Sequence, residues 1–188
     1  MSRVLPLLAL SLLAASPALA EDDEVGGGAT ILVGPGYWAE DGPARLRVSV
    51  RGEAEIATED AVGFAVVLPV DIASSGSDGF GWEVNRMLVE VVPSARLRVA
   101  PASPVRAYVD AGVGPWFQLT QTETIFGDAE SQRSGFMTTA ALGLEFGKTE
   151  PNSLAVVLEP IRARTYFVNE DDKVRADYGG MVGLGYRF

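Results

Sequence analysis

From residue 29 onward, apolar and polar residues alternate with a period of two, and turn-forming segments interrupt the alternation. The stretch 45–57 shows it most clearly. Leu46, Val48, Val50, Ala54 and Ile56 fall on one side, and Arg45, Arg47, Ser49, Arg51, Glu53 and Glu55 on the other. Successive side chains of a strand point to opposite faces, so this stretch reads as a strand with one aliphatic and one charged face. The same reading predicts strands over 29–39, 62–73, 82–99, 105–121, 136–146, 154–168 and 175–188, eight in all. Segments rich in Gly, Pro, Ser and Asp separate them, and 122–134 reads as the longest loop. In 154–168 the phase slips at Glu159-Pro160. A bulge there would restore one continuous apolar face. No segment carries a helical period.

The apolar faces could line a soluble barrel or coat a membrane-spanning one. The aromatics favour the second arrangement. Tyr37, Trp38, Trp82, Trp116, Phe117, Phe136, Phe167 and Tyr178 fall near one rim, the alternation leaving open which face carries Trp38, Trp82 and Trp116; Phe64, Phe146, Tyr186 and Phe188 fall near the other. Two aromatic belts with aliphatic residues between them are what two membrane interfaces select. Every backbone group in hydrocarbon must be paired within the protein, so a β protein crosses a membrane only as a closed barrel. The polar faces then turn inward. They would place Arg47, Arg51, Glu53, Glu55, Arg86, Glu90, Arg96, Arg98, Arg106, Asp110, Glu145, Arg162, Arg164, Asp177 and Arg187 in one lumen charge network. An eight-stranded barrel is narrow enough for such side chains to fill it.

Composition narrows the chemistry. The chain of 188 residues has no cysteine and no histidine, and its formal net charge is −10. Disulfides are excluded, and so strong an acidic balance leaves no basic track for nucleic acid. A histidine general base is unavailable, and the only lysines, Lys148 and Lys173, fall in turns, so no catalytic site is expected. The pair Glu53 and Glu55 reads as partners of Arg47 and Arg51. No cofactor and no metal site are expected; Asp128-x-Glu130 and Glu170-Asp171-Asp172 could hold Ca²⁺ only weakly. At the N-terminus, Arg3, the apolar run 4–15 and Ala18-Leu19-Ala20 form a secretory signal peptide over 1–20. Residues 21–28 form an acidic, then glycine-rich lead-in, and 29–188 the barrel domain.

The last strand carries the resemblance. Gly183-x-x-Tyr186-x-Phe188 ends the chain on an aromatic of the apolar face, with no polar tail behind it. This resembles the C-terminal signal of Gram-negative outer-membrane barrels, although Met181 stands where a polar residue is preferred. With the eight alternating segments, the chain looks like a small OmpA/OmpX-type barrel. The resemblance implies an all-β, up-and-down antiparallel transmembrane barrel with both termini in the periplasm. It implies contact with outer-membrane lipids and lipopolysaccharide, and recognition of Gly183, Tyr186 and Phe188 by the barrel-assembly machinery. The turns at Thr58, Pro101 and Gly147 would be periplasmic, and the segments at Glu40, Ser74, Thr122 and Asn169 extracellular. The expected role is structural or surface-interacting, with a closed lumen; the sequence names no extracellular partner. The alternative is a secreted lipocalin-like barrel, or a laterally open one, that takes a small apolar ligand. Inward arginines would favour the first reading and outward arginines the second.

Overall fold

The computed structural model describes residues 26–38, 45–59, 61–79, 82–168 and 174–188. They form nine strand segments: β1 (Gly27–Trp38), β2 (Arg45–Thr58), β3 (Val62–Gly79), β4 (Trp82–Val91), β5 (Ser94–Val99), β6 (Val105–Thr124), β7 (Gly127–Gly147), β8 (Ser153–Val168) and β9 (Val174–Arg187). All pairings are antiparallel. β1 closes against β9, and β4 and β5 lie end to end between β3 and β6, so the ring has eight staves and no free edge along its body.

The stave expected over 82–99 is thus divided at Val92-Pro93. Proline lacks the amide that a ladder needs. The register nevertheless continues unchanged, because the Val92 amide donates to Pro69 O and Pro93 O accepts from the Val113 amide. At Glu159-Pro160 the expected bulge is present: both ladders of β8 shift by one residue there, against β7 and against β9. The bulge has a consequence for the interior. In a regular strand residues i and i+3 face opposite sides, yet Glu159 and Arg162 both face inward and bond each other.

Side-chain polarity is inverted relative to a soluble protein. Arg47 and Arg106 are fully buried, whereas Ile31, Leu46, Ile56, Leu154 and Leu184 are more than half exposed. Leaving such side chains in water forgoes about 1.5–3 kcal/mol each, which a lipid surround restores. The phases of the apolar faces agree with the sequence pattern throughout. Phe117, Phe136, Phe167 and Tyr178 are exposed on the outer surface towards one rim, and Phe64, Phe146, Tyr186 and Phe188 towards the other. The side chains of Tyr37, Trp38 and Trp82 lie outside the described set. The arrangement of outward apolar and inward charged faces excludes the soluble lipocalin-like alternative, whose core would be the aliphatic face.

Three elements differ from the sequence expectation. Segment 74–79 and most of 122–134 are not loops: β3 runs on to Gly79, β6 to Thr124, and β7 starts at Gly127. Their pairing partners continue beside them, Gly79 with Trp82 and Thr124 with Gly127, so the ladder holds where the apolar alternation has ended. Both faces there meet water, and a strand without a buried face carries no hydrophobic period. Trp116, whose facing the alternation leaves open, points inward and is 2% exposed. Its indole donates to Phe136 O at 3.1 Å and meets the Tyr166 ring edge-on at 5.7 Å. Finally, β1 begins at Gly27, two residues before the expected start.

Two glycines mark close approaches. A Cβ at Gly143 would lie 2.1 Å from Tyr108 Cζ, so the phenol ring occupies the space that a side chain would take. A Cβ at Gly183 would lie 1.8 Å from Ile31 O, which gives this residue a packing role where β9 closes onto β1.

Candidate functional site: the lumen charge network

The inward face of each stave contributes charge, and the pairs form three tiers along the barrel axis. The tier nearest the start of β1 and the end of β9 centres on Glu145 of β7. It accepts from Arg96 and Arg98 of β5 at 3.0 and 3.1 Å, from Arg106 of β6 at 3.1 Å and from Arg187 of β9 at 3.4 Å. Glu53 and Glu55 of β2 add to it, Glu53 accepting from Arg96 at 2.7 Å and Glu55 from Arg98 at 3.0 Å. One carboxylate thus neutralises parts of four guanidinium groups, which spreads the charge over several strands.

The middle tier is built on Glu159, which the bulge delivers to the lumen. Arg51 donates to both of its oxygens, at 2.7 and 3.1 Å, and Arg162 donates to both at 2.6 and 3.0 Å. The Tyr108 hydroxyl donates to Oε2 at 3.0 Å. Arg162 also reaches Asp110 at 3.4 Å, and Asp110 takes a two-pronged bond from Arg96 at 2.7 and 2.8 Å. The Arg96 guanidinium lies 3.9 Å from the centre of the Tyr108 ring. Paired parallel N–H···O bonds are the geometry that a planar guanidinium favours with a carboxylate.

In the third tier Arg47 donates to Glu90 and Asp177, and the Tyr166 hydroxyl donates to Glu90. Arg164 donates to Asp71 at 3.0 Å and pairs with Glu90 at 3.4 Å. Beyond this tier the interior turns apolar. Ala73, Leu88, Val92, Trp116, Met137 and Tyr166 form a buried cluster, so the lumen is layered and not charged throughout. A smaller cluster, Leu32, Tyr108, Val157 and Met181, packs beside the middle tier.

Of the fifteen charged residues read from the sequence, fourteen meet in this lattice. Arg86 does not. It points inward from β4, but its cross-strand neighbours are Ser75 and Thr120, which carry no charge, and it makes no ion pair with a described residue. Sequence reasoning omits Asp71, Glu159, Tyr108 and Tyr166. Asp71 lies on the polar parity of β3 and is within reach of the period alone. Glu159 can be placed only once the bulge is assigned. Tyr108 shares the polar face of Arg106 and Asp110 and Tyr166 the parity of Arg162 and Arg164, so the period places both inward, but a neutral phenol falls outside a list of charges. Gly183, Tyr186 and Phe188 occupy the end of β9, Tyr186 and Phe188 on the outer surface with ring centres 6.3 Å apart. Among the described residues no group of three or more carboxylates is arranged to hold a metal ion; Glu170, Asp171 and Asp172 lie outside them.

No protein-family model and no curated protein matches the sequence. Solved structures do match the fold. Ail, the attachment invasion locus protein of Yersinia pestis, solved with the heparin analogue sucrose octasulfate, superposes with a TM-score of 0.58 at 19% identity, covering 88% of this chain and 99% of Ail. The outer-membrane enzyme PagL gives a TM-score of 0.54 at 12% identity over 85% of this chain and 98% of its own. A major outer-membrane protein of Thermus thermophilus gives 0.53 at 13% identity over 87% and 99%. The fold is therefore that of the small eight-stranded outer-membrane barrels.

Proposed function

We propose that this chain is an integral outer-membrane protein whose lumen passes no solute and whose role is structural or surface-interacting. The observation that carries the reading is the inverted polarity: an aliphatic outer surface around an interior of interlocked arginines and carboxylates. A barrel of eight staves has an interior just wide enough for side chains, and open aqueous channels belong to much larger ones. The apolar tier around Trp116 adds a second, dry barrier in series with the charged ones. Both ends of the described barrel, β1 and β9, meet at one rim, together with the short turns after β2, β5 and β7; this rim faces the periplasm. The long β6–β7 hairpin then stands on the cell surface. The segment 1–20 is removed on export, and Gly183, Tyr186 and Phe188 present the assembly signal.

PagL shows that catalysis can reside on this fold. The present chain lacks any histidine, and the arginines of its three tiers are held in ion pairs, which supports a non-enzymatic reading. The protein should fractionate with the outer membrane, resist carbonate extraction and migrate differently on gels before and after heating. In planar bilayers the purified monomer should show no steady porin-sized conductance. Steady large conductance would show the packed lumen to be open.

A further inference from the structure

Inward-facing arginines of the charge lattice all meet carboxylates, whereas Arg86 on β4 and Arg133 on β7 face inward and meet none among the described residues. Both stand beyond the apolar tier, at the rim that carries the long hairpin. Arg133 is directly across from Gln118 of β6, whose side chain is 7% exposed and points inward. Arg86 is directly across from Thr120 of the same strand. The two arginines thus flank β6 one residue pair apart, on its inner side.

The groups between them are neutral. Gln118 Nε2 donates to Thr120 Oγ1 at 3.2 Å, and Ser131 lies opposite Thr120. On the other side, Ser75 stands opposite Arg86, and its hydroxyl is buried without a partner among the described residues. Among the described residues, the inward positions beyond the Trp116 tier include Arg175 as well but no carboxylate. The acids of this region lie on the opposite, outward face, where Glu83, Glu123 and Asp128 share one cross-strand row. In a chain of net charge −10, the two faces of the hairpin end are thereby separated into a cationic inner and an acidic outer one.

We infer that the rim lined by Arg86, Arg133, Ser75 and Thr120 is a binding site for a tetrahedral oxyanion, a phosphate or sulfate group. A guanidinium offers paired donors that match such a group, and hydroxyls complete its hydrogen-bond shell. The Trp116 tier forms a dry floor, so the anion is held at the mouth and does not pass through. Binding at the rim rests on the rim residues alone, whereas retention at the mouth rests on the closed-lumen reading, which includes the Trp116 tier.

The test uses the folded protein in detergent, with heat-modifiable migration as the check on folding. Inorganic phosphate is titrated by calorimetry against a chloride background at constant ionic strength. Glucosamine 1-phosphate, a lipid-headgroup fragment, is titrated in parallel. Saturable phosphate binding is expected, weakened about tenfold by each of Arg86→Gln and Arg133→Gln. Ser75→Ala should weaken it less, and Lys148→Gln, at the opposite end, not at all. Binding of the sugar phosphate alone would assign the site to a headgroup, and equal binding of both to a free ion. If neither binds above chloride, or if the arginine variants bind like the parent, the inference is wrong. Should an arginine variant fail to fold, Ser75→Ala carries the test.

Discussion

Removing the Glu159 carboxylate charge should destabilise the barrel more than removing any surface charge. Arg51 has no other carboxylate partner among the described residues, and it is 2% exposed. Arg162 loses its two-pronged bond but keeps Asp110 at 3.4 Å, and the Tyr108 hydroxyl loses its acceptor. Breaking a buried pair by taking away one partner costs about 3–5 kcal/mol, because the other charge stays buried. The surviving Asp110 contact and the amide that remains in Glu159→Gln place the expected cost near the lower end, about 3 kcal/mol. Urea unfolding in lipid vesicles, followed by tryptophan fluorescence, reads this directly. The companion variant Arg51→Met removes the charge that would be orphaned. In the double variant the two costs should therefore fall short of additivity by at least about 1.5 kcal/mol. Additive costs, or a loss under about 1 kcal/mol for Glu159→Gln, would mean that the tier is hydrated and its charges only weakly coupled.

Other outcomes follow from single positions. Gly143→Ala puts a methyl group where the Tyr108 ring lies, and should cost about 1–3 kcal/mol in the same unfolding assay; Tyr108→Ala in the same chain should relieve most of the clash. Deleting Pro160 removes the extra residue of β8 and leaves Glu159 and Arg162 two positions apart on one face of a regular strand, so the chain should still reach the heat-modifiable form; its loss would mean that the bulge itself is needed for closure. Deleting Phe188, or changing it to Asp, should lower the amount inserted in the outer membrane while leaving signal-peptide removal unchanged, as measured by fractionation and mass of the mature chain. A normal outer-membrane level would remove Phe188 from the assembly signal.

How far the sequence can be read depends on whether one face of each strand meets lipid. Along the body of the barrel it does. Leu46 to Ile56 and Val105 to Leu119 therefore show a period of two that places Arg47, Arg51, Arg106 and Asp110 inside without reference to coordinates. The bulge at Pro160 is legible for the same reason, since a phase slip within an otherwise apolar face has few remedies. Where neither face meets lipid the signal vanishes. Ser74 to Gly79 and Thr122 to Ser134 are polar on both faces and read as loops, although the ladders beside them carry on to Gly79 and Thr124.

The alternation leaves the facing of Trp116 open and puts Arg86 in the charge network on the assumption that inward means charged and paired. The interior obeys that assumption only across the three tiers, where each guanidinium is matched by carboxylates from neighbouring staves. Matching requires acids, and beyond Glu90 and Asp177 the described inward positions supply none. The chain therefore changes chemistry at that height. Trp116, Leu88 and Met137 place apolar volume there, which needs no partner, and the indole N–H is satisfied by a strand carbonyl. Arg86 and Arg133 then stand on the far side of that floor, cut off from the carboxylates of the three tiers. An uncompensated guanidinium is tolerable there because the rim is wet, and that same wetness opens it to an anion from outside. The apolar layer is thus also what separates the cationic mouth from the carboxylates below it.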